Sequence, residues 1–436
     1  MPHLLNSRSP DFEAAFTRLL ALKREASRDV NDAVRAIIDD VRLRGDEALL
    51  EYTLRFDRLP LTPERLRVGA DTVHEATEKV PAPVLEALKL AKARIEAFHT
   101  RQKPQDHEFT DAEGVTMGWR WTAVDSAGLY VPGGSASYPS SVLMNAVPAR
   151  VAGVARLVMC VPSPDGELNP AVLAAAHIAG IDEIYRVGGA QAIAALAYGT
   201  RTIAPVAKIV GPGNAYVAAA KRHVFGVVGI DMIAGPSEVL VVADASARAE
   251  WVALDLLAQA EHDCAAQAML ITDDAAFADE VARAVEKALE TLPRKAIAGA
   301  GWRDFGAIVV VGELTEAVPL INRIAPEHLE LETGCAETLL PHIRNAGSIF
   351  LGAYTPEALG DYVAGPNHIL PTARSARFSS GLGVMDFMKR SSVLKCRPDS
   401  VKAIGPTAVE LALSEGLHAH AMSVQARLET GADANR

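Results

Sequence analysis

The chain reads as an α/β protein, with two facing Rossmann-like parallel-sheet domains set between a helical N-terminal lead-in and a helical C-terminal tail. Three observations predict this. From residue 128 to residue 352, short apolar segments alternate with Ala-rich helical stretches, a spacing that implies right-handed βαβ units. Several of those segments run into glycine turns. Apolar residues make up 49% of the chain and aromatics only 5%, which suits helices packed on parallel strands. At 436 residues, more than one core is expected.

Residues 1–127 form the lead-in, expected to pack on the second α/β domain. Val30, Val34, Ile37 and Val41 recur at helical spacing, Gly45 stops that helix, and Leu49, Leu50 and Leu54 begin another. Val84, Leu88, Ala91, Ile95 and Phe98 repeat the pattern, and strand signals begin at Met117–Trp121. The first domain, 128–237, carries strands at Leu129–Val131, Leu157–Val161, Ile184–Val187 and Lys208–Val210, with helices near 139–152, 170–179, 190–198 and 215–224. The second, 238–380, carries strands at Val239–Val242, Met269–Thr272, Ile308–Val311, Leu329–Leu331 and Ser348–Leu351, with helices over 249–262, 275–291, 314–324 and 336–344. From 381 to 436 the pattern turns helical, with Pro406 in a first turn and Glu415-Gly416 as a break. A short helical tail that cannot bury itself should dock on another surface, such as a partner subunit.

The glycine turns are Pro132-Gly133-Gly134, Gly188-Gly189-Ala190-Gln191, Gly211-Pro212-Gly213-Asn214 and Gly235-Pro236-Ser237. In an open parallel sheet the ligand crevice lies outside the carboxyl ends of the strands, where glycine lets a phosphate reach backbone N–H groups. None matches GxGxxG, so they read either as phosphate contacts or as tight strand-to-helix turns. Forty-three basic against 54 acidic residues leave a net charge of −11, with no long basic run, so nucleic acid and anionic membranes are disfavoured as partners. The N-terminus lacks an apolar signal core and no long uncharged apolar stretch occurs, which reads as soluble and cytoplasmic. Four cysteines without a CxxC pair argue against a disulfide scaffold and a cysteine zinc site, and are expected to be reduced and mostly buried. Cys264 reads as a small hydrophobe of the following strand.

Chemistry concentrates at a few positions. Gln259 and His262 lie three apart at the end of an apolar helical run, so an amide oxygen and an imidazole nitrogen share one face; a metal site and an ordinary polar pair both fit. Glu327 and His328 adjoin where a helix gives way to a strand. They can address one site if the strand start is irregular, which Pro326 favours, and would then offer two bases for two protons. A surface Glu-His pair is the plainer alternative. Asp361 sits in a glycine-bounded loop, either as a functional carboxylate or as a turn cap. His418 and His420 form a His-x-His pair, either metal-binding or at a wet helix start. Gln259, His262, Asp361 and His420 together would give two oxygen and two nitrogen donors, a set that zinc accepts. Spacing alone does not show that they meet.

At this point the chain closely resembles the histidinol dehydrogenases. The resemblance spans nearly its whole length and rests on Gly128-Leu-Tyr-Val-Pro-Gly-Gly134, Val187-Gly-Gly-Ala-Gln-Ala192, Gly211-Pro-Gly-Asn214, Asp231-Met-Ile-Ala-Gly-Pro-Ser-Glu238, Leu257-Ala-Gln-Ala-Glu-His-Asp263, Ala325-Pro-Glu-His-Leu329, Gly365-Pro-Asn-His-Ile-Leu-Pro-Thr372, Ala376-Arg-Phe-Ser-Ser380 and Glu415-Gly-Leu-His-Ala-His420. It implies zinc-dependent oxidation of L-histidinol to L-histidine with two NAD+, ending histidine biosynthesis. It implies Gln259, His262, Asp361 and His420 as zinc ligands that also meet substrate, with one zinc per subunit. Ser237, His328 and Glu415 match substrate-contacting positions, and Tyr130, Gln191 and Asn214 match NAD-contacting ones. His328 resembles the base for the alcohol proton and Glu327 the base that activates water. The family further implies a homodimer in which the C-terminal segment, with Glu415 and His420, reaches the other subunit's site. A dehydrogenase of another small polyol, a zinc hydrolase using Glu327 on metal-bound water and a non-catalytic nucleotide binder are the rival readings. The Glu415–His420 segment speaks against the first, and NADH formation separates the other two.

Overall fold

In the computed structural model, strands Glu238–Ala243 and Gln267–Thr272 are buried along their whole length, as parallel strands covered on both faces must be. Leu240, Val242, Met269 and Ile271 pack into one cluster, whereas Val239, Val241, Ala268 and Leu270 pack into another, so one residue of each pair faces each side. The structure describes residues 2–22, 28–133, 138–181 and 183–433. Gly134 of the first glycine turn lies outside them.

These two strands lie in a six-stranded parallel sheet ordered His3–Asn6, Ala307–Val310, Gln267–Thr272, Glu238–Ala243, His328–Glu332, Ser348–Leu351. A second parallel sheet has five strands, in the order Glu183–Tyr185, Arg156–Cys160, Ser126–Tyr130, Lys208–Val210, Gly229–Ile230. The expected α/β architecture with two parallel sheets is therefore what the chain forms. Its helices begin where capping chemistry allows. Asn214 accepts from the N–H groups of Tyr216 and Val217 to open Ala215–Val224, and Asp274 accepts from those of Ala276 and Phe277 to open Ala275–Thr291.

Both parallel sheets belong to one contact unit, Met1–Gln102 with Asp125–Phe387; Lys103–Val124 and Met388–Arg436 form the other. The expected boundaries at 127, 237 and 380 differ from this division. The lead-in also packs differently from the expectation. Strand His3–Asn6, absent from the sequence reading, and helix Phe12–Leu20 do join the six-stranded sheet, through Leu5, Phe16 and Leu19. Helix Arg28–Arg44, however, places Val34, Ile37, Ile38 and Val41 in the core of the five-stranded sheet. Helices Ala70–Glu78 and Ala82–Thr100 pack on Pro170–Ile178 and Pro139–Ala152 of that same layer.

In the second unit, Met388–Lys395 is a strand where helix was expected. It pairs antiparallel with Thr116–Ala123, which pairs in turn with His107–Thr110. The helical part of the tail is the hairpin Pro398–Ser414 and His418–Asp433. Of the cysteines only Cys160 is buried; Cys264 and Cys396 are exposed, and Cys264 lies in a turn ahead of its strand. Among the described residues no helix is long and apolar enough to cross a membrane.

Candidate active site

Helix Ala317–Ile324 ends on Ala325, whose φ of +49° is unusual for a residue with a side chain. That turn supplies the irregular strand start the sequence required. It leaves Glu327 buried just before strand His328–Glu332, with Glu327 Oε2 accepting from the N–H of Glu238 at 2.8 Å and 3.8 Å from His328 Nδ1. His328 Nδ1 also lies 3.1 Å from the carbonyl oxygen of Glu238. Both side chains therefore address one buried point.

Register explains what joins them. His328 lies opposite Val239, and Glu330 opposite Val241, on the sheet face that packs against helix Ala249–Ala260. The end of that helix brings Gln259 and His262 to the same place, with the amide 3.2 Å from His262 Nδ1. With its nitrogen turned toward acceptors, the Gln259 amide donates to Glu357 Oε1 at 3.0 Å and to the Glu238 carbonyl at 3.2 Å, while its oxygen accepts from His262. Asp361 lies in the short helix Glu357–Tyr362, not in the expected loop, with Oδ1 3.6 Å from His328 Nε2. His368 Nδ1 meets the Asp361 carbonyl at 2.8 Å, and its Nε2 meets Ser141 Oγ at 3.2 Å.

The electrostatics follow from burial. Burial alone would lower the His328 pKa, but Glu357, Glu327 and Asp361 outweigh it and hold it well above its ordinary value. Burial pushes the carboxyls of Glu327 and Glu357 up to about 8, partly offset in each by the charge of His328. Asp361 is also opposed by burial, yet His328 stabilises its charge and its pKa falls. Burial lowers His262 and His368, so both favour the neutral form that can donate a lone pair.

The expected cofactor contacts gather at the carboxyl ends of the five-stranded sheet. Tyr130 ends its strand, and its Oη accepts from the N–H of Gly189 at 3.0 Å. Gln191 is buried in the first turn of helix Gly189–Tyr198, and its Oε1 has no partner among the described residues. Asn214 is exposed at the N-terminus of its helix. In the six-stranded sheet the expected site residues come instead from the amino ends of strands: half-buried Ser237 just before Glu238–Ala243, and Glu327 just before His328.

A sequence model described as histidinol dehydrogenase matches residues 21–428. A histidinol dehydrogenase from Ruegeria pomeroyi is 65% identical over 98% of this chain and 99% of its own length. One from Rhodospirillum rubrum is 63% identical over 99% of this chain and 100% of its own. The chain belongs to the histidinol dehydrogenase family. A crystal structure of histidinol dehydrogenase from Elizabethkingia anophelis, 37% identical, matches with a TM-score of 0.94 and covers 98% of both chains. As a member of this family the protein is an oxidoreductase.

Of the expected zinc ligands of this histidinol dehydrogenase family member, Gln259, His262 and Asp361 lie in one unit, and His420 lies in the other with Glu415; both of the latter are exposed. Around His328, the acidic and imidazole ligand atoms of His328, Glu357 and Asp361 come within 4.8 Å of one another, a trio that shares only Asp361 with the expected set. Glu238, Glu357 and Ser141 carried no role in the sequence reading. His368 lay within a quoted motif without one. A charged residue opening the apolar run Glu238–Ala243 was the one available hint; nothing local singled out Glu357.

Proposed function

We propose that this protein oxidises L-histidinol to L-histidine through L-histidinal, passing hydride to NAD+ twice in the last steps of histidine biosynthesis. The observation that carries the reading is the burial of Glu327 and His328 side by side, joined through Gln259, His262 and Asp361 into one cluster. Four-electron oxidation of an alcohol needs a base for the hydroxyl proton and a base for the water that adds to the aldehyde. The cluster holds one of each.

The residues fit a divalent cation. Buried Glu327 and Glu357 and half-buried Asp361 bring three carboxylates around His328, whose Nε2 is buried without a hydrogen-bond partner among the described residues. Gln259, His262 and Asp361 would hold zinc with His420 of the partner subunit. Zinc supplies a Lewis-acidic anchor that holds and orients the substrate. The residues at the sheet edge fit NAD: Gln191 Oε1 has no partner among the described residues, and two helix N-termini, at Gly189 and Ala215, open there. NAD+ supplies the hydride acceptor, against Tyr130, Gln191 and Asn214.

The Glu238 carbonyl engages His328 Nδ1–H, so Nε2 is the atom that takes the alcohol proton, and the surrounding carboxylates stabilise the imidazolium so formed. Glu327 Oε2 is held by the Glu238 N–H, which leaves Oε1 to draw a proton from the water that adds to the aldehyde. Ser237, with Glu415 of the partner subunit, positions the substrate. The working form in this reading is a cytoplasmic homodimer. With purified protein, zinc and NAD+, absorbance at about 340 nm should record about two NADH per L-histidinol consumed, as two hydride transfers dictate. No NADH from L-histidinol would overturn the reading.

A further inference from the structure

Away from the site, helices Ala70–Glu78 and Pro170–Ile178 leave between them an open-mouthed cavity of about 200 Å³. Leu168, Pro170 and Leu173 give it an apolar wall, and Lys79 and Arg186 bring cations to it. Arg186 leaves the end of strand Glu183–Tyr185, where its backbone N–H is tied to the Leu66 carbonyl at 2.9 Å. Its Nε is shut off from solvent and has no acceptor among the described residues. A buried guanidinium N–H left unpaired is rare and calls for an explanation. Burial first, and the neighbouring charge of Arg65 second, press against the charge of Arg186. Two cations beside a third, an orphaned donor and a cavity with an apolar wall form a place for an anion with a small organic body.

We propose that this cavity binds a phosphoryl dianion, with Arg186 as the bidentate ligand, Lys79 as the second charge and the Leu168–Leu173 wall against any ester group. Glu75, exposed on the cavity rim, opposes an anion and limits affinity. None of the residues assigned to histidinol or NAD lines this cavity, so the inference stands apart from the proposed reaction.

The test is calorimetric titration of the full-length protein with inorganic phosphate and with phenyl phosphate, at constant ionic strength in chloride and with NAD+ saturating. One equivalent per chain is expected. Arg186→Met should weaken binding at least about tenfold, as loss of a charge-assisted pair does. Lys79→Met, at an exposed position, should weaken it less, and Glu75→Gln should tighten it. Activity without added anion should be unchanged in all three. Arg186→Lys, which keeps the charge but not the fork, should fall between wild type and Arg186→Met. Tighter phenyl phosphate assigns the site to a phosphate ester; equal affinities assign it to free phosphate. Failure of both probes to bind wild type, or affinities indifferent to Arg186→Met and Lys79→Met, would overturn the proposal.

Discussion

At the scale of single residues, His328 shows how burial and charge compete. Low dielectric alone would strip its proton, and three carboxylates restore it. If His328 and Glu327 serve different protons, His328→Ala should slow oxidation of the alcohol by about 10²–10⁴-fold, whereas Glu327→Ala should chiefly slow oxidation of supplied L-histidinal. Equal losses in both half-reactions for both variants would undo the division of roles. One turn deeper, Asp255, Glu330 and Glu332 bring carboxyl oxygens within 4.8 Å of one another. Burial pushes Glu332 from an ordinary 4.5 up to about 9, with Asp255 adding to the shift. The folded chain thus keeps a proton that the unfolded chain releases, so this group lowers stability as pH rises from about 4.5 toward 9. Glu332→Gln should therefore melt a few degrees above wild type at about pH 8, and the gap should close near pH 4.5. A gap that widens in acid would contradict this.

At the scale of elements, strand His328–Glu332 was legible but its environment was not. His-Leu-Glu-Leu-Glu alternates as a strand with one wet face would, yet every residue in it is buried. Helix Ala249–Ala260 covers the polar face and turns it into the site. The loop after strand Lys208–Val210 is an element whose shape depends on one glycine. Gly211 has φ +112°, and a Cβ there would stand 2.1 Å from the Tyr130 carbonyl oxygen. Its N–H donates to Asp231 at 2.8 Å and its carbonyl accepts from Lys221 at 3.0 Å, and Lys221 and Asp231 form a buried ion pair. Gly211→Ala should displace Asn214, raising KM for NAD+ about tenfold or more, at about 1–3 kcal/mol of stability. KM for L-histidinol should change far less, which initial rates with each substrate varied in turn will show.

At the scale of the whole molecule, the proposed homodimer places His328 and His420 of one working site on different chains. Mixed His328→Ala and His420→Ala subunits should then regain part of the activity that each variant lacks alone, up to about a quarter for random pairing with one intact site. No recovery after verified subunit exchange would mean that each chain builds its own site.

The βαβ alternation and most helices from 139 to 344 were legible because their periods are local properties of the chain. So were Gln259 with His262 and Glu327 with His328, because each pair lies within one turn or one strand start. Strand Met388–Lys395, nearly all exposed even when paired, has no buried face to mark it in the sequence and is set by its ladder with Thr116–Ala123. His3–Asn6 becomes a strand by adding to Ala307–Val310. The packing of Arg28–Arg44 on the five-stranded sheet, and the meeting of Glu238, Glu357, Asp361 and His368 around His328, are likewise invisible locally. The sequence by itself determined the α/β class and which residue types could do chemistry, since side-chain periodicity and ligand chemistry are written residue by residue. Only the tertiary structure decided which of them share a desolvated point, because burial and charge coupling exist once distant segments have packed.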